Sequence, residues 1–173
     1  SLLSSLDEVL NMGSDRIVNI IGAGLSGLSA AITLAENNIS SRLISLQTSE
    51  RAQSVLAEGG INAALDTMGE GDTTKEHASD TLKGGCFIEP EESVRILTQS
   101  APRVIRKLIS LGVPFQSGDE DIILRNFGGQ KKKRTAYAKS STGKMLMSSL
   151  IDEVRKYESQ GLVKRYEDRK SVV

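Results

Sequence analysis

The chain has 173 residues, 38% of them hydrophobic, which is enough apolar material for a domain with a real core. Its 22 Lys+Arg balance 22 Asp+Glu, so no overall field favours nucleic acid or an anionic membrane, and with aromatics at 3% and no Trp a base-stacking platform is excluded as well. One cysteine, Cys86, can form neither an internal disulfide nor a cysteine-built metal cluster, so no metal site is expected and a reducing, cytoplasmic compartment is.

In the opening SLLSSLDEVL, Leu2, Leu3, Leu6, Val9 and Leu10 recur at helical spacing, which predicts a short amphipathic helix or tail over 1–14 that leaves through Met12-Gly13-Ser14. It has no basic leader and carries Asp7 and Glu8, so it does not read as a secretory signal. No stretch of the sequence is apolar for long enough to span a bilayer.

The stretch Arg16–Ala35 organises the rest. An apolar strand over 16–21 enters the glycine turn Gly22-Ala23-Gly24-Leu25-Ser26-Gly27, and a helix from about Leu25 to Asn37 leaves it. This order opens a dinucleotide-binding βαβ unit. Gly22 permits the sharp turn, Gly24 lets the backbone approach a pyrophosphate, and Gly27 lets the helix pack closely on the strand. The helix N-terminus adds free N–H groups and a positive dipole end. Strand two, over 41–46, ends Ser45-Leu46-Gln47, where a ribose-binding acid is expected and none stands before Glu50. Ser45 and Gln47 can hydrogen-bond a ribose, so the missing acid weakens NAD and leaves the dinucleotide reading standing. Arg42, at a strand start, reads as solvated.

Residues 49–65, SERAQSVLAEGGINAAL, are rich in small side chains, as a loop wrapped on a flat ligand or an irregular connection would be. The Gly- and Asp-rich run 66–72 must turn. Thr73 or Thr74 then caps a helix with Glu76 in its first turn and Gly84-Gly85 at its end. His77 reads as a surface or hydrogen-bonded core residue rather than a ligand, and Cys86 as a small buried residue. Pro90-Glu91-Glu92 starts the next helical run, and Pro102 predicts two helices or a kink near Ser100. Residues 113–127 read as a hairpin turning at Ser117-Gly118-Asp119. Lys131-Lys132-Lys133-Arg134 reads as a solvated loop. A helix from about Thr142 to Gln160, a strand over 162–166 and a further strand toward Val173 complete the chain.

Four stretches then carry a resemblance: IIGAGLSGLSAA at 20–31, RAQSVLAEGGIN at 51–62, EHASDTLKGG at 76–85, and RNFGGQKKKRTAYAKSSTGKMLMSSLIDEVRKYESQGLVKRYE at 125–167. From Arg16 onward the chain resembles the N-terminal part of the flavoprotein subunit of succinate dehydrogenases and fumarate reductases, the Gram-positive type above all. L-aspartate oxidase shares the framework. The resemblance implies an α/β, Rossmann-like FAD-binding domain with a parallel sheet over 15–173, incomplete at the C-terminus and without the capping domain. It implies FAD, with Gly22, Ala23, Gly24, Leu25, Ser26 and Gly27 on the pyrophosphate and Ser45, Leu46 and Gln47 near the adenosine ribose. Ala52, Gln53, Ser54, Val55, Leu56, Ala57, Glu58, Gly59 and Gly60 would run along the isoalloxazine, and the backbone of Val172 would meet the adenine.

The family's respiratory members carry Arg-Ser-His-Ser-Val, whose His binds flavin covalently; here the run is Arg51-Ala52-Gln53-Ser54-Val55. An amide offers no such nucleophile, so FAD is expected to be noncovalent. That, and Glu58 beside the ring, favour reduction of fumarate by hydride transfer from flavin over oxidation of succinate. Arg134-Thr135 matches a pair on the family's active-site side and implies a supporting role. The substrate-clamping His and Arg of the family lie in later segments, so no catalytic residue is assigned, and this chain is expected to be inactive alone, as a fragment or a natural short form. Implied partners are a dicarboxylate substrate, an iron–sulfur subunit or soluble carrier as electron donor, and a second copy of the chain; no nucleic acid is implied. The implied place is the cytoplasm, or the inner face of the cell membrane as a peripheral protein. L-aspartate oxidase, another flavin-dependent enoate reductase, and a non-catalytic flavin-binding or interaction module are the alternatives.

Overall fold

The computed structural model describes residues 17–128, 130–139 and 141–167. The expected helix over 1–14, the further strand toward Val173 and Val172 itself lie outside the described residues. The chain divides into two compact units, one running to Leu56 and resuming at Leu146, the other Ala57–Met145.

The first unit is a parallel βαβ start. Strand β1 (Val18–Ile21) passes through the glycine turn into α1 (Leu25–Glu36) and returns as β2 (Ser41–Ile44). The strands pair in parallel from Val18↔Ser41 to Ile21↔Ile44. Leu28, Ala31, Ile32 and Ala35 give α1 a buried stripe at helical spacing. Asn37 ends the helix, and Asn38 turns the chain at φ +56°. From Leu146 on, α4 (Thr142–Ser159) belongs to this unit and buries Leu146, Met147, Leu150, Ile151 and Val154. Strand β6 (Val163–Tyr166) then adds to the far edge of β2, from Ser41↔Val163 to Ile44↔Tyr166, giving the order β1-β2-β6. The parallel sheet expected from the alternating strand and helix pattern is present. β2 has a partner on both sides and buries Ser41 and Leu43; β1 has one described partner and is mostly exposed.

The second unit joins two helices to a small antiparallel sheet of β3 (Ile61–Asn62), β5 (Thr135–Ala136) and β4 (Leu124–Arg125), in that order. Thr73 caps α2 (Thr74–Gly84) by accepting the Glu76 N–H at 3.1 Å, as the sequence predicts. Helix α3 (Glu91–Ser110) runs without a break through Pro102, so of the two helices or kink expected near Ser100, two separate helices are ruled out. Proline removes one hydrogen bond and costs a helix about 3 kcal/mol. Against that cost, Val94 and Thr98 before Pro102 and Ile105 and Leu108 after it bury one continuous face. The hairpin turns where expected, with a Ser117↔Ile122 bridge and the Gly118 N–H on Asp121 O at 2.8 Å. Its second limb then leaves to pair with β5 as β4.

Cys86 is exposed, against the expectation of a buried residue. The chain leaves α2 through two left-handed residues, Cys86 at φ +55° and Phe87 at φ +58°, and this exit turns both side chains outward.

Candidate functional site

In the first unit the glycine turn is built on steric exclusion. Gly22 has φ +105°, a region that favours glycine, and its N–H donates to Ile44 O at 2.8 Å. A Cβ on Gly27 would lie 1.8 Å from Gly22 O, so the first turn of α1 rests directly on the backbone of the glycine turn. A Cβ on Gly24 would meet Ser54 Oγ at 3.2 Å and Ala52 Cβ at 4.0 Å. The structure thus brings together the turn and the Ala52–Ser54 segment, two sets that lie apart in sequence. No side chain caps α1 and no acid stands in its first turn, so the positive end of the helix dipole is uncompensated. The Leu25 N–H reaches only Ser54 Oγ, at 3.4 Å.

Ser45, Leu46 and Gln47 follow β2 at the same end of the sheet as the turn, because β1 and β2 are parallel and in register there. Ser45 Oγ donates to Gln47 O at 2.6 Å, closing a small turn. Ile21 and Leu46 are 80% and 70% exposed at this end, so the sheet presents apolar surface beside a bank of backbone N–H groups. Gln53, Ser54, Val55 and Leu56 form a single 3₁₀ turn, with Leu56 72% exposed.

In the second unit the segment Ala57–Gly60 is held by its carbonyls. Ala57 O accepts from the Gly143 N–H at 2.6 Å, Glu58 O from the Thr142 hydroxyl at 3.5 Å, and Gly59 O from Arg125 Nη2 at 2.9 Å. Gly60 has φ +115°, and a Cβ there would lie 2.6 Å from Ala136 O. The segment therefore lies flat on β5 with its carbonyls turned into the unit. Glu58, Gly59, Arg125, Phe127, Tyr137 and Lys139 line an open cavity of about 520 Å³ beside it. Arg125, Tyr137, Thr142 and Gly143 are absent from the sequence-based site. The signal that could have found them is their place within the long 125–167 stretch on which the family resemblance rests.

Residues 18–169 match the FAD binding domain family. The chain belongs to that family. This FAD binding domain is 41% identical over 155 residues to the succinate dehydrogenase flavoprotein subunit of Bacillus subtilis, covering 89% of this chain and 26% of that protein. It is 33% identical over 160 residues to the fumarate reductase flavoprotein subunit of Mycobacterium tuberculosis, covering 91% of this chain and 26% of that protein. Among solved structures, the Sdh1 complex of Mycobacterium smegmatis in its apo form superposes with a TM-score of 0.84 at 26% identity, over 87% of this chain and 27% of that one. The chain thus spans about a quarter of the length of these relatives. FAD fits the first unit on its own geometry: the Gly27 contact and the uncapped helix end form a cradle in which a Cβ at position 24 would intrude.

The basic run is not a solvated loop, and Arg134 supports the fold from inside. Lys132 Nζ donates to Glu70 O, and the Lys133 N–H to the Glu70 carboxylate at 2.8 Å. Arg134 is 1% exposed, with Nε and Nη2 on Asp72 at 3.0 and 2.8 Å and Nη1 on Asp80 at 3.1 Å. The acids of the 66–72 turn and of α2 meet the run head-on, which the sequence order conceals. His77 lies beside this cluster on α2, buried and with Nδ1 unpartnered, so it is a core residue but not a fully hydrogen-bonded one. Burial holds its pKa below the ordinary 6.5; Arg134 pushes the same way, and Asp72 and Asp80 oppose. The unfolded chain therefore takes up a proton at His77 before the folded chain does, and stability falls as pH drops through about 6.5. Urea denaturation is expected to show a lower midpoint at about pH 5.5 than at about pH 7.5, and His77→Leu is expected to shrink that difference. An unchanged pH dependence in His77→Leu would remove His77 from the account.

Proposed function

We propose that this chain is the FAD-holding portion of a flavin-dependent oxidoreductase that interconverts succinate and fumarate, working toward fumarate reduction. The observation that carries the proposal is the glycine turn seated against an uncapped helix end, with Gly24 facing Ala52 and Ser54. In this reading, Gly22–Gly27 hold the pyrophosphate by backbone N–H groups and Ser45–Gln47 meet the ribose. Ala52–Leu56 and Ala57–Gly60 orient the isoalloxazine. FAD, when bound, supplies the two-electron chemistry; the chain's residues bind it and fix its place. Gln53 leaves the cofactor noncovalent, and with Glu58 it supports the reductive direction. Similar proteins carry the names succinate dehydrogenase and fumarate reductase, which supports the substrate pair. A dicarboxylate substrate and an iron–sulfur subunit or soluble electron carrier belong to the same proposal, as does a peripheral place at the inner membrane face. No helix of the described residues is long and apolar enough to cross a membrane.

The purified chain is expected to be yellow, or to become so on FAD titration, and acid precipitation is expected to release the colour into the supernatant. Colour retained in the pellet would overturn the Gln53 argument, and failure to take up FAD would overturn the cofactor reading. For the direction, the polypeptide expressed from its intact gene should have its reduced flavin reoxidised by fumarate; turnover of aspartate without fumarate activity would sink the substrate assignment.

A further inference from the structure

We infer that Arg125 is the positioning residue of the Glu58–Gly60 segment, and through it of the flavin ring; the inference rests on the FAD reading above. Most arginines with a described partner in this protein hold a carboxylate: Arg95 on Glu92, Arg106 on Asp121, Arg134 on Asp72, Arg155 on Glu50 and Arg165 on Glu158. Arg125 is built differently. It sits at the end of β4, opposite Thr135, with its guanidinium carbon 4.2 Å from the centroid of the Tyr137 ring and 5.7 Å from that of Phe127. Nη2 donates to Gly59 O, and Nε is buried with no partner. The cation is thus flanked by two aromatic rings and one carbonyl; a planar guanidinium can lie flat along a ring while its edge donates to the carbonyl, a geometry that the point charge of an ammonium does not reproduce.

The segment it holds is closely packed by its neighbours. A Cβ at Gly59 would lie 3.0 Å from Phe127 Cε1, so the ring rests on the bare α-carbon. Gly60, in its left-handed conformation, lies against Ala136 O. Two glycines let the chain slip between the Phe127 ring and β5, but they also make it soft, since glycine is the residue least restrained by its own sterics. Arg125 supplies the missing restraint at the middle carbonyl and ties the Phe127 and Tyr137 rings to the same atom group. The carbonyl direction of Gly59 fixes the peptide plane that Gly60 presents on the opposite side. A group that sets this plane sets the surface offered to the ring.

The test is FAD titration of the chain and of Arg125→Lys and Arg125→Met, followed by flavin absorbance, with thermal melts of each protein. Arg125→Lys keeps the charge and stem but loses the fork. It is expected to melt with the parent, to bind FAD about tenfold to a hundredfold more weakly, as for loss of one charge-assisted hydrogen bond, and to shift the visible flavin band. Arg125→Met is expected to go further in the same direction; should it melt early, the lysine variant decides. Unchanged affinity and band in the lysine variant would overturn the inference and leave the FAD reading intact. Weaker binding with an unmoved band would reduce Arg125 to a structural role and overturn it also. If the unaltered chain takes up no FAD, the underlying reading fails, and the inference with it.

Discussion

Gly27→Ala is expected to lower the melting temperature by roughly 6–12 °C and to abolish FAD uptake. The alanine Cβ would stand 1.8 Å from Gly22 O and 2.9 Å from Gly22 C, with Leu43 Cδ1 at 3.4 Å behind it. The first two are backbone atoms of the turn itself, so relief requires α1 to back away from β1. Overpacking of this kind costs about 3 kcal/mol at its upper end, and each kcal/mol moves the midpoint of a chain this size by about 2–4 °C. The neighbouring glycines give different signatures. Gly22→Ala meets no atom within 4 Å but must hold φ +105°, a strain of about 1–3 kcal/mol. Gly24→Ala meets Ser54 Oγ at 3.2 Å, a hydroxyl that can rotate aside, and Ala52 Cβ at an ordinary 4.0 Å, so its stability should barely change. If the turn holds the pyrophosphate as proposed, the methyl fills the approach to the phosphate, and FAD affinity should fall while the melting curve holds. Circular-dichroism melts and FAD titrations of the three variants separate packing, strain and ligand approach. A Gly27→Ala protein that melts with the parent would break the packing argument. A Gly24→Ala protein that binds FAD normally would break the phosphate argument.

That contrast also marks what a linear reading can reach. The turn, α1 and β2 are legible because their signals are local: glycine spacing, an apolar run before it, a helical stripe after it. The Thr73 cap is legible for the same reason, with acceptor and donor three residues apart. Pro102 misleads only as to two separate helices, because the faces that hold α3 together, Val94 and Thr98 with Ile105 and Leu108, are tertiary. Cys86 misleads because its exposure comes from a left-handed exit, a conformation that no glycine announces at that position. The basic run misleads most. Lys133 and Arg134 find acids 63 and 62 residues earlier, and only the fold of the 66–72 turn supplies them. Arg125 is invisible for the same reason, since its partner Gly59 lies 66 residues away and offers only a carbonyl.

Arg134→Met should therefore be among the most damaging single changes in the second unit. It strands Asp72, whose side chain is 1% exposed, with no cation to face, while Asp80 at 30% exposure can turn to water. Removing one partner of a buried ion pair costs about 3–5 kcal/mol, mostly because the other charge stays behind. The melting temperature should fall by roughly 6–20 °C on the same scale. Arg134→Met combined with Asp72→Leu removes both charges and should recover a large part of the loss, because an apolar pair of similar volume can replace a buried salt bridge at little cost. If the double variant melts no higher than Arg134→Met alone, the damage comes from lost packing rather than from an uncompensated charge, and the electrostatic account of this clamp is wrong.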